Sequence, residues 1–534
     1  MSIPRFLRVV GLAALVIVAA SPALGQAPRS GGSLTLRLRE DLPQGFAIHE
    51  SPTISTMWPA MPCLSNLVLF DPLKPTHSVD NLIGELAERW SWQESYRKLV
   101  FFLRKDVRWH DGKPFTSRDV KATFDMLREA LEAPAKLRFN PRKEWWANVE
   151  AVDAIDPLTV VFRLKRPQPS LLLMLASGYT PIYAAHVPAA SYRAGCVGTG
   201  PFKLKDWRKG EFVEYVKNPD YFVKGRPYLD GLRYLIIAER GTATAAVQAG
   251  RVDATFPGET GKGIADQLKK AVPQLVITTV NSSVLDHLIL NTRKPPFDNA
   301  KVRQAVNRAI DRRALAAAVY QGGATLGASM VPRPYGVWGM LEADLRGLAG
   351  YGNPSEEKAQ ARKLLGEAGF GPSSPLKLEM VTRNLPAFAD LSSFVIGELK
   401  RVGIEASLRQ VDSSQWYPMQ ARGEFQLGTD RNGLEPDDPD ANFYEHYACG
   451  SSRNYSGYCD ESLTQLIDRQ SQELDARKRL ALVNEIQLKL EQTAARPSLV
   501  WRLDYFTVWP HVKNLVPHHS IYGWGRLQEV WRDK

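Results

Sequence analysis

The sequence predicts an α/β protein of at least two lobes, and three observations carry that expectation. The chain has 534 residues, more than a single hydrophobic core usually grows to. Strand and helix patterns alternate from Leu376 to Val411, as in a lobe with helices packed on a sheet. The pattern also changes near His287–Asn291: short strand-like pieces punctuated by Gly and Pro give way to long amphipathic helices.

Taken in chain order, Leu34–Leu38 alternates apolar and polar residues as a strand does, and Leu42–Phe46 is a loop marked by Pro and Gly. Leu99–Leu103 is an apolar run of strand length. Asp111-Gly112 makes a turn, and Thr116 with Asp119 three residues on is a capping box. Val120, Phe124, Leu127 and Leu131 would line one face of the helix it opens. Thr159–Lys165 alternates as a strand. Beyond His287–Asn291, Lys294–Phe297 is a stiff turn, and a helix begins at Asn299 with Val302, Ala305, Val306, Ala309 and Ile310 at helical spacing. Asn353-Pro354 caps a second helix, ended by Gly369. Leu376–Val381 and Ile404–Val411 read as strands around a helix at Phe394–Val402. Asp460–Thr493 reads as helix and Ser498–Val508 as strand.

Composition narrows the class of protein. The chain is 44% hydrophobic and 23% charged, ordinary for a globular protein. Arg5 and Arg8 precede an apolar stretch, Val9–Ala20, and small residues at Ala23-Leu24-Gly25. That order is a secretory signal peptide over residues 1–25, too short in its apolar part to span a bilayer. The mature protein is expected to start near Gln26, in the periplasm. No cysteine follows the apolar run to carry a lipid anchor. The formal charge of +11 falls to +9 without Arg5 and Arg8, and the basic residues are scattered among acids. The basic and aromatic pattern of nucleic-acid binding is absent. Four cysteines suit disulfides in an oxidising compartment. Cys449 and Cys459 flank a short loop and are expected to pair; the sequence leaves open whether Cys63 and Cys196 meet.

The motifs that invite chemistry resolve into structure. His110-Asp111 reads as part of the Asp111-Gly112 turn rather than as a base with its orienting acid. Gly258–Gly263 imitates a phosphate loop but lacks its first glycine, and Gly263 stands where Ser or Thr would bind magnesium. His518-His519 reads as a surface loop, without the partners a metal site needs. No G-x-S-x-G elbow and no H-E-x-x-H pair occurs. No catalytic residue, cofactor or metal is expected.

Four segments, in order, carry a resemblance. Arg104–Val120, with Trp109-His110-Asp111-Gly112-Lys113-Pro114-Phe115-Thr116 at its centre, is the first. Gly198–Phe202 followed by Asn218–Tyr221 is the second, Pro295–Ala305 the third, and Glu357–Phe370 the fourth. Together they resemble the extracellular solute-binding proteins of family 5, the dipeptide, oligopeptide and nickel class of ABC-importer receptors. The resemblance implies an α/β, two-lobed periplasmic binding protein fold of type II, with an extra subdomain in lobe I and two crossing segments between the lobes. Lobe I would comprise residues 26–280 and 498–534, with the subdomain at about 55–180, and lobe II residues 281–497. The crossings are expected near Val280–His287 and Arg496–Trp501. A monomer delivering its small ligand, a peptide first, to permease subunits in the inner membrane is the implied function. The alternatives are an opine, a sugar or a nickel complex as ligand, or a periplasmic hydrolase.

Ligand chemistry is expected between Asp412 and Cys459, where aromatic rings and a few charges could orient a zwitterion. The candidates are Trp416, Arg431, Glu435, Asp440, Arg453 and Tyr455. In peptide-binding members of the resembled family an acid of this segment pairs with the ligand's α-ammonium. Counted without gaps from Gly423, that acid is Glu435, and Trp416 matches the aromatic that starts the segment. Asn432 stands where those members usually carry Trp, and Pro436 follows the acid.

Overall fold

The computed structural model describes residues 27–131, 133, 135–521 and 525–533. The segment read as an export signal lies outside them. No helix among the described residues is long and apolar enough to cross a membrane.

Three sheets organise the chain. The first takes its strands in the order Ser33–Leu38, Gly231–Ile236, Phe212–Lys217 and Phe202–Arg208, with the leading pair parallel and the rest antiparallel. The second is an antiparallel sheet of Ala87–Gln93, Lys98–Leu103, Thr159–Leu164 and Val149–Asp156. Its core gathers Phe101, Phe124, Trp146 and Phe162, so it is a separate folding layer rather than an edge of the first. The third sheet orders Ala324–Thr325, Ser498–Val508, Val276–Leu290, Leu427–Gly433, Leu376–Arg383 and Ile404–Val411. Helices such as Ala300–Ala309 and Pro386–Lys400 bury Val302, Val306, Leu391 and Val395 against it.

Two long strands join the halves. Val276–Leu290 runs antiparallel to Ser498–Val508, and Val508 bridges Ala254, which in turn bridges Leu36 of the first sheet. At its other end Val284–Leu290 pairs with Leu427–Gly433 of the third sheet. The register of the pair breaks between Asn281 and Leu285, where the chain passes from one half to the other. There Ser283 donates both its amide, to His519, and its hydroxyl, to Leu434. A bulge of this kind disrupts the ladder and bends the strand.

Some local readings hold in the structure and others differ. The capping box at Thr116 and Asp119 is formed, but the helix ends at Leu127. Glu129 takes a positive φ and turns the chain away, so Leu131 is fully exposed instead of extending the apolar face. The helix expected at Phe394–Val402 begins earlier, at Pro386, because proline is tolerated in the first turn. His518 is buried against His77, with ring nitrogens 2.7 Å apart, where a surface loop was expected. His110 packs beside the Asp111-Gly112 turn and faces the Gly200 carbonyl at 3.0 Å, while Asp111 pairs with His186 at 2.7 Å. Both cysteine pairs are bonded, Cys63 to Cys196 and Cys449 to Cys459.

Candidate functional site

The two halves meet along a face lined with charge. Arg39 and Glu40 leave the end of the first strand, and Ser55 lies in the helix Ile54–Ala60, capped by Thr53. Opposite them stand Arg383, at the end of its strand, and Ser413, which opens the helix Ser413–Arg422. Glu40 accepts from Arg383 Nη2 at 2.5 Å and from the hydroxyls of Ser413 and Ser55, each at 2.5 Å. Beside it, Arg39 donates to Glu259 at 2.6 Å. Arg431 lies 3.8 Å from the same Glu259 and donates to Asp286 at 2.7 Å. Burial alone would raise the Glu259 carboxyl, but Arg39, Arg431, Arg37 and Arg502 outweigh it and hold the group at about 2. These pairs alternate in sign across the interface, so each buried charge has a compensating neighbour. Phe388, Tyr417 and Arg383 from one half and Thr53, Pro257 and Ile54 from the other enclose a cavity of about 30 Å³ here. That is the volume of about one water.

A second meeting place lies deeper. Glu435 follows the strand Leu427–Gly433 and is 3% exposed. Its Oε2 accepts from Ser177 of the other half at 3.5 Å, and its Oε1 has no hydrogen-bond partner. His77 Nδ1 is 4.0 Å from that oxygen, but burial keeps His77 far below its usual range and neutral, so the contact is no ion pair. Burial likewise pushes Glu435 up to about 8, against the smaller opposing pulls of the Gly178 amide and Arg142. A carboxyl of this kind, desolvated and with an unused oxygen, gains a strong charge-assisted bond from any cation brought to it.

Next to it Glu445 links two arginines. Arg453 donates to Glu445 Oε1, and Arg142 of the other half lies 3.6 Å from Oε2 with its guanidinium 3.3 Å over the Tyr179 ring. The Cys449–Cys459 bond, with Cα atoms 4.8 Å apart, closes the loop that presents Arg453 and Tyr455. Arg496 completes the group by donating to Asn432 Oδ1 at 2.7 Å and to His287 Nε2 at 3.0 Å.

The other candidates occupy different roles in the packing. Trp416 is fully buried with Ile289, Val381, Phe425 and Tyr455, and its ring fills the space that a side chain at Gly428 would take. Asp440 is saturated: it accepts from Gln168, Ser170, Gln470 and Ser471 at 2.5–3.0 Å and from Arg479 at 3.4 Å. Gln168 and Ser170 belong to the half opposite Gln470 and Ser471, so this carboxylate ties the halves together. Trp145 adds a bond across the same seam, from its indole to the Ala441 carbonyl at 3.0 Å. Glu40, Arg142, Arg383 and Glu445 were not singled out by sequence; Glu259 fell inside the Gly258–Gly263 stretch read as an imitation phosphate loop, and the position of Arg496, at the expected second crossing, hinted at a role.

A two-lobed α/β molecule with two long strands crossing between its halves and a charged interior face has the build of a solute-binding protein. The chain belongs to the bacterial extracellular solute-binding proteins, family 5, whose family model matches residues 81–454. It is 25% identical over 502 residues to the probable di/tripeptide-binding protein 5 of Pseudomonas aeruginosa, covering 89% of this chain and 91% of that one. Its fold is similar to that of the periplasmic binding protein DppA of Helicobacter pylori in complex with the peptide STSA (TM-score 0.81, 21% identity, 95% and 99% coverage). It is equally similar to AgaA of A. tumefaciens R10 in complex with agropinic acid (TM-score 0.81, 21% identity, 94% and 99% coverage).

Proposed function

We propose that this chain is the ligand-capturing subunit of an ABC importer, taking a peptide or peptide-like solute by its free ammonium and passing it to a membrane permease from the periplasm. One observation carries the reading of the ligand: Glu435, buried between the halves, keeps one carboxyl oxygen without a partner. The name of the Pseudomonas relative points the same way. Lobe I is assigned residues 26–280 and 498–534, and lobe II residues 281–497, with the hinge at the register break of the crossing strands. Arg431 and Asp440 then act in closing and joining the lobes, Trp416 as the packed floor under Tyr455, and Arg453 beside the ligand. The mature protein works as a monomer and carries out no catalysis.

A ligand must enter with the lobes apart, and contacts to both of them favour the closed form. Peptides with a free N-terminus should therefore raise the melting temperature, and N-acetylated counterparts should do so far less. Glu435→Gln removes one charge-assisted bond and is expected to cost about 10–100-fold in affinity for the free amine, with little change for the acetylated form. Equal losses for both ligands would remove Glu435 as the anchor.

The raised carboxyl also fixes a pH dependence. Glu435 sits near 8 in the ligand-free protein against an ordinary 4.5. Its contribution to ligand-free stability is fully present below 4.5 and is lost as pH rises through 8. An ammonium favours the ionised form, so binding at pH 7 should expel a proton and tighten from pH 6 toward 8. Calorimetry in buffers of different ionisation enthalpy should register that proton for the wild type and none for Glu435→Gln.

A further inference from the structure

Two unpartnered hydrogen-bond acceptors face each other where the halves meet. Glu435 belongs to one half, and His77 lies in the other, in the loop between the strand Val68–Phe70 and the turn Val79–Asn81. Their side chains are 1% and 2% exposed, and Glu435 Oε1 and His77 Nδ1 stand 4.0 Å apart. The His77 ring is held in place. It stacks on Phe70, with centroids 4.1 Å apart and planes within 8° of parallel, and its Nε2 meets His518 Nδ1 at 2.7 Å.

That contact decides which His77 nitrogen carries the proton. Burial keeps both rings neutral, His518 at about 4 and His77 far below its usual range, and a neutral imidazole has one N–H. His518 Nε2 faces the Pro72 carbonyl at 3.3 Å, which can only accept, so that nitrogen holds the His518 proton. His518 Nδ1 is then a bare acceptor, His77 Nε2 donates to it, and the His77 Nδ1 lone pair is left toward Glu435. A proton on Glu435 does not bridge the pair, because 4.0 Å exceeds any O–H···N bond. Two acceptors each about 2.8 Å from one tetrahedral nitrogen stand roughly 4.6 Å apart, so widening the gap by about half an ångström admits an ammonium. Two ligands about 2.1 Å from one metal ion, at tetrahedral or octahedral angles, stand roughly 3–3.4 Å apart, closer than this pair. A water could donate to both atoms, but only a cation also offsets the carboxylate charge.

We propose that His77 is the second acceptor for the ligand's ammonium, set opposite Glu435 so that the captured amine must present two N–H bonds, one to each half. His518 is the positioning residue that keeps the His77 lone pair turned toward the ligand. The proposal rests on the reading of the ligand as a free amine, and it adds which amines qualify. Primary and secondary ammonium groups fit. A tertiary one, with the same charge but a single N–H, does not.

Two measurements on the full mature protein, stripped of bound solute by unfolding and refolding, test this. Nitrogen-15 NMR of histidine-labelled protein should find His77 protonated on Nε2 and bare at Nδ1, with the Nδ1 signal moving when alanyl-alanine is added. A proton on Nδ1, or a signal that alanyl-alanine leaves in place, overturns the proposal. Calorimetric titration then compares alanyl-alanine with its N-methyl, N,N-dimethyl and N-acetyl derivatives. The second methyl group should cost roughly tenfold or more, the effect of one charge-assisted bond, and the first far less. His77→Gln, whose amide lies near the former Nε2 and keeps the His518 contact, should lose that discrimination and bind alanyl-alanine roughly tenfold more weakly. His77→Asn, whose oxygen lies near the former Nδ1, should keep more of both. A merely structural histidine would give the reverse order, because asparagine gives up the His518 bond. If neither variant folds, the wild-type methyl series and the NMR signal still decide. Equal affinities for the mono- and dimethyl probes, or discrimination unchanged in His77→Gln, overturn the role of His77 and leave Glu435 in place. Equal affinities for alanyl-alanine and its acetyl derivative, or no binding of either, overturn the amine reading itself and His77 with it.

Discussion

Replacing Cys63 and Cys196 together by serine is expected to lower the unfolding free energy by about 5 kcal/mol, the chain-entropy value for a loop of this size. The pair is 133 residues apart, with Cα atoms 6.5 Å from each other, and Cys63 is fully buried. It fastens the start of the subdomain to the strand that begins at Phe202. The backbone around it is packed without slack: Gly200 donates its amide to the Cys63 carbonyl at 2.9 Å, and a Cβ on Gly198 would fall 1.7 Å from that oxygen. Under reductant, which also opens Cys449–Cys459, the double variant and the wild type should unfold alike in urea, and without reductant the double variant should unfold at the lower urea concentration. A midpoint unmoved by both treatments would show that native packing, and not the bond, sets the stability there.

Asp440→Ala is expected to cost about 3–5 kcal/mol, as removal of one member of a buried ionic network does. Four neutral side chains and Arg479 converge on this carboxylate. Arg479 keeps its two bonds to Asp438, at 2.8 and 2.9 Å, but Gln168, Ser170, Gln470 and Ser471 would be left with unmet donors. The loss should appear in urea unfolding, while the ratio of affinities for free and acetylated peptides stays that of the wild type. A changed ratio without loss of stability would place Asp440 against the ligand instead.

How far the sequence reached follows from what kind of order each feature needs. Strands such as Ile404–Val411 and the capped helix at Thr116 announce themselves because their signals lie within a few residues. The pairing of Cys449 with Cys459 is legible for the same reason. Asp440 stood out only as one acid in an acidic stretch; its partners Gln168 and Ser170 are some 270 residues away, and nothing local foretells them. The buried charged group around Glu445 is assembled from positions 142, 432, 453 and 496, far apart in sequence, and no periodicity marks a buried charge. His518 misled in the same way, since its partner His77 is 441 residues distant. The family resemblance supplied the acid at Glu435, but not the arginines around it.

The central claim, that the chain captures an amino compound between its lobes, is tested most directly by native mass spectrometry of the protein purified from its own cells without unfolding. The account predicts a bound species carrying an amine, released on denaturation and lost from Glu435→Gln purified in parallel. A bound species without an amine, retained equally by wild type and variant, would contradict it.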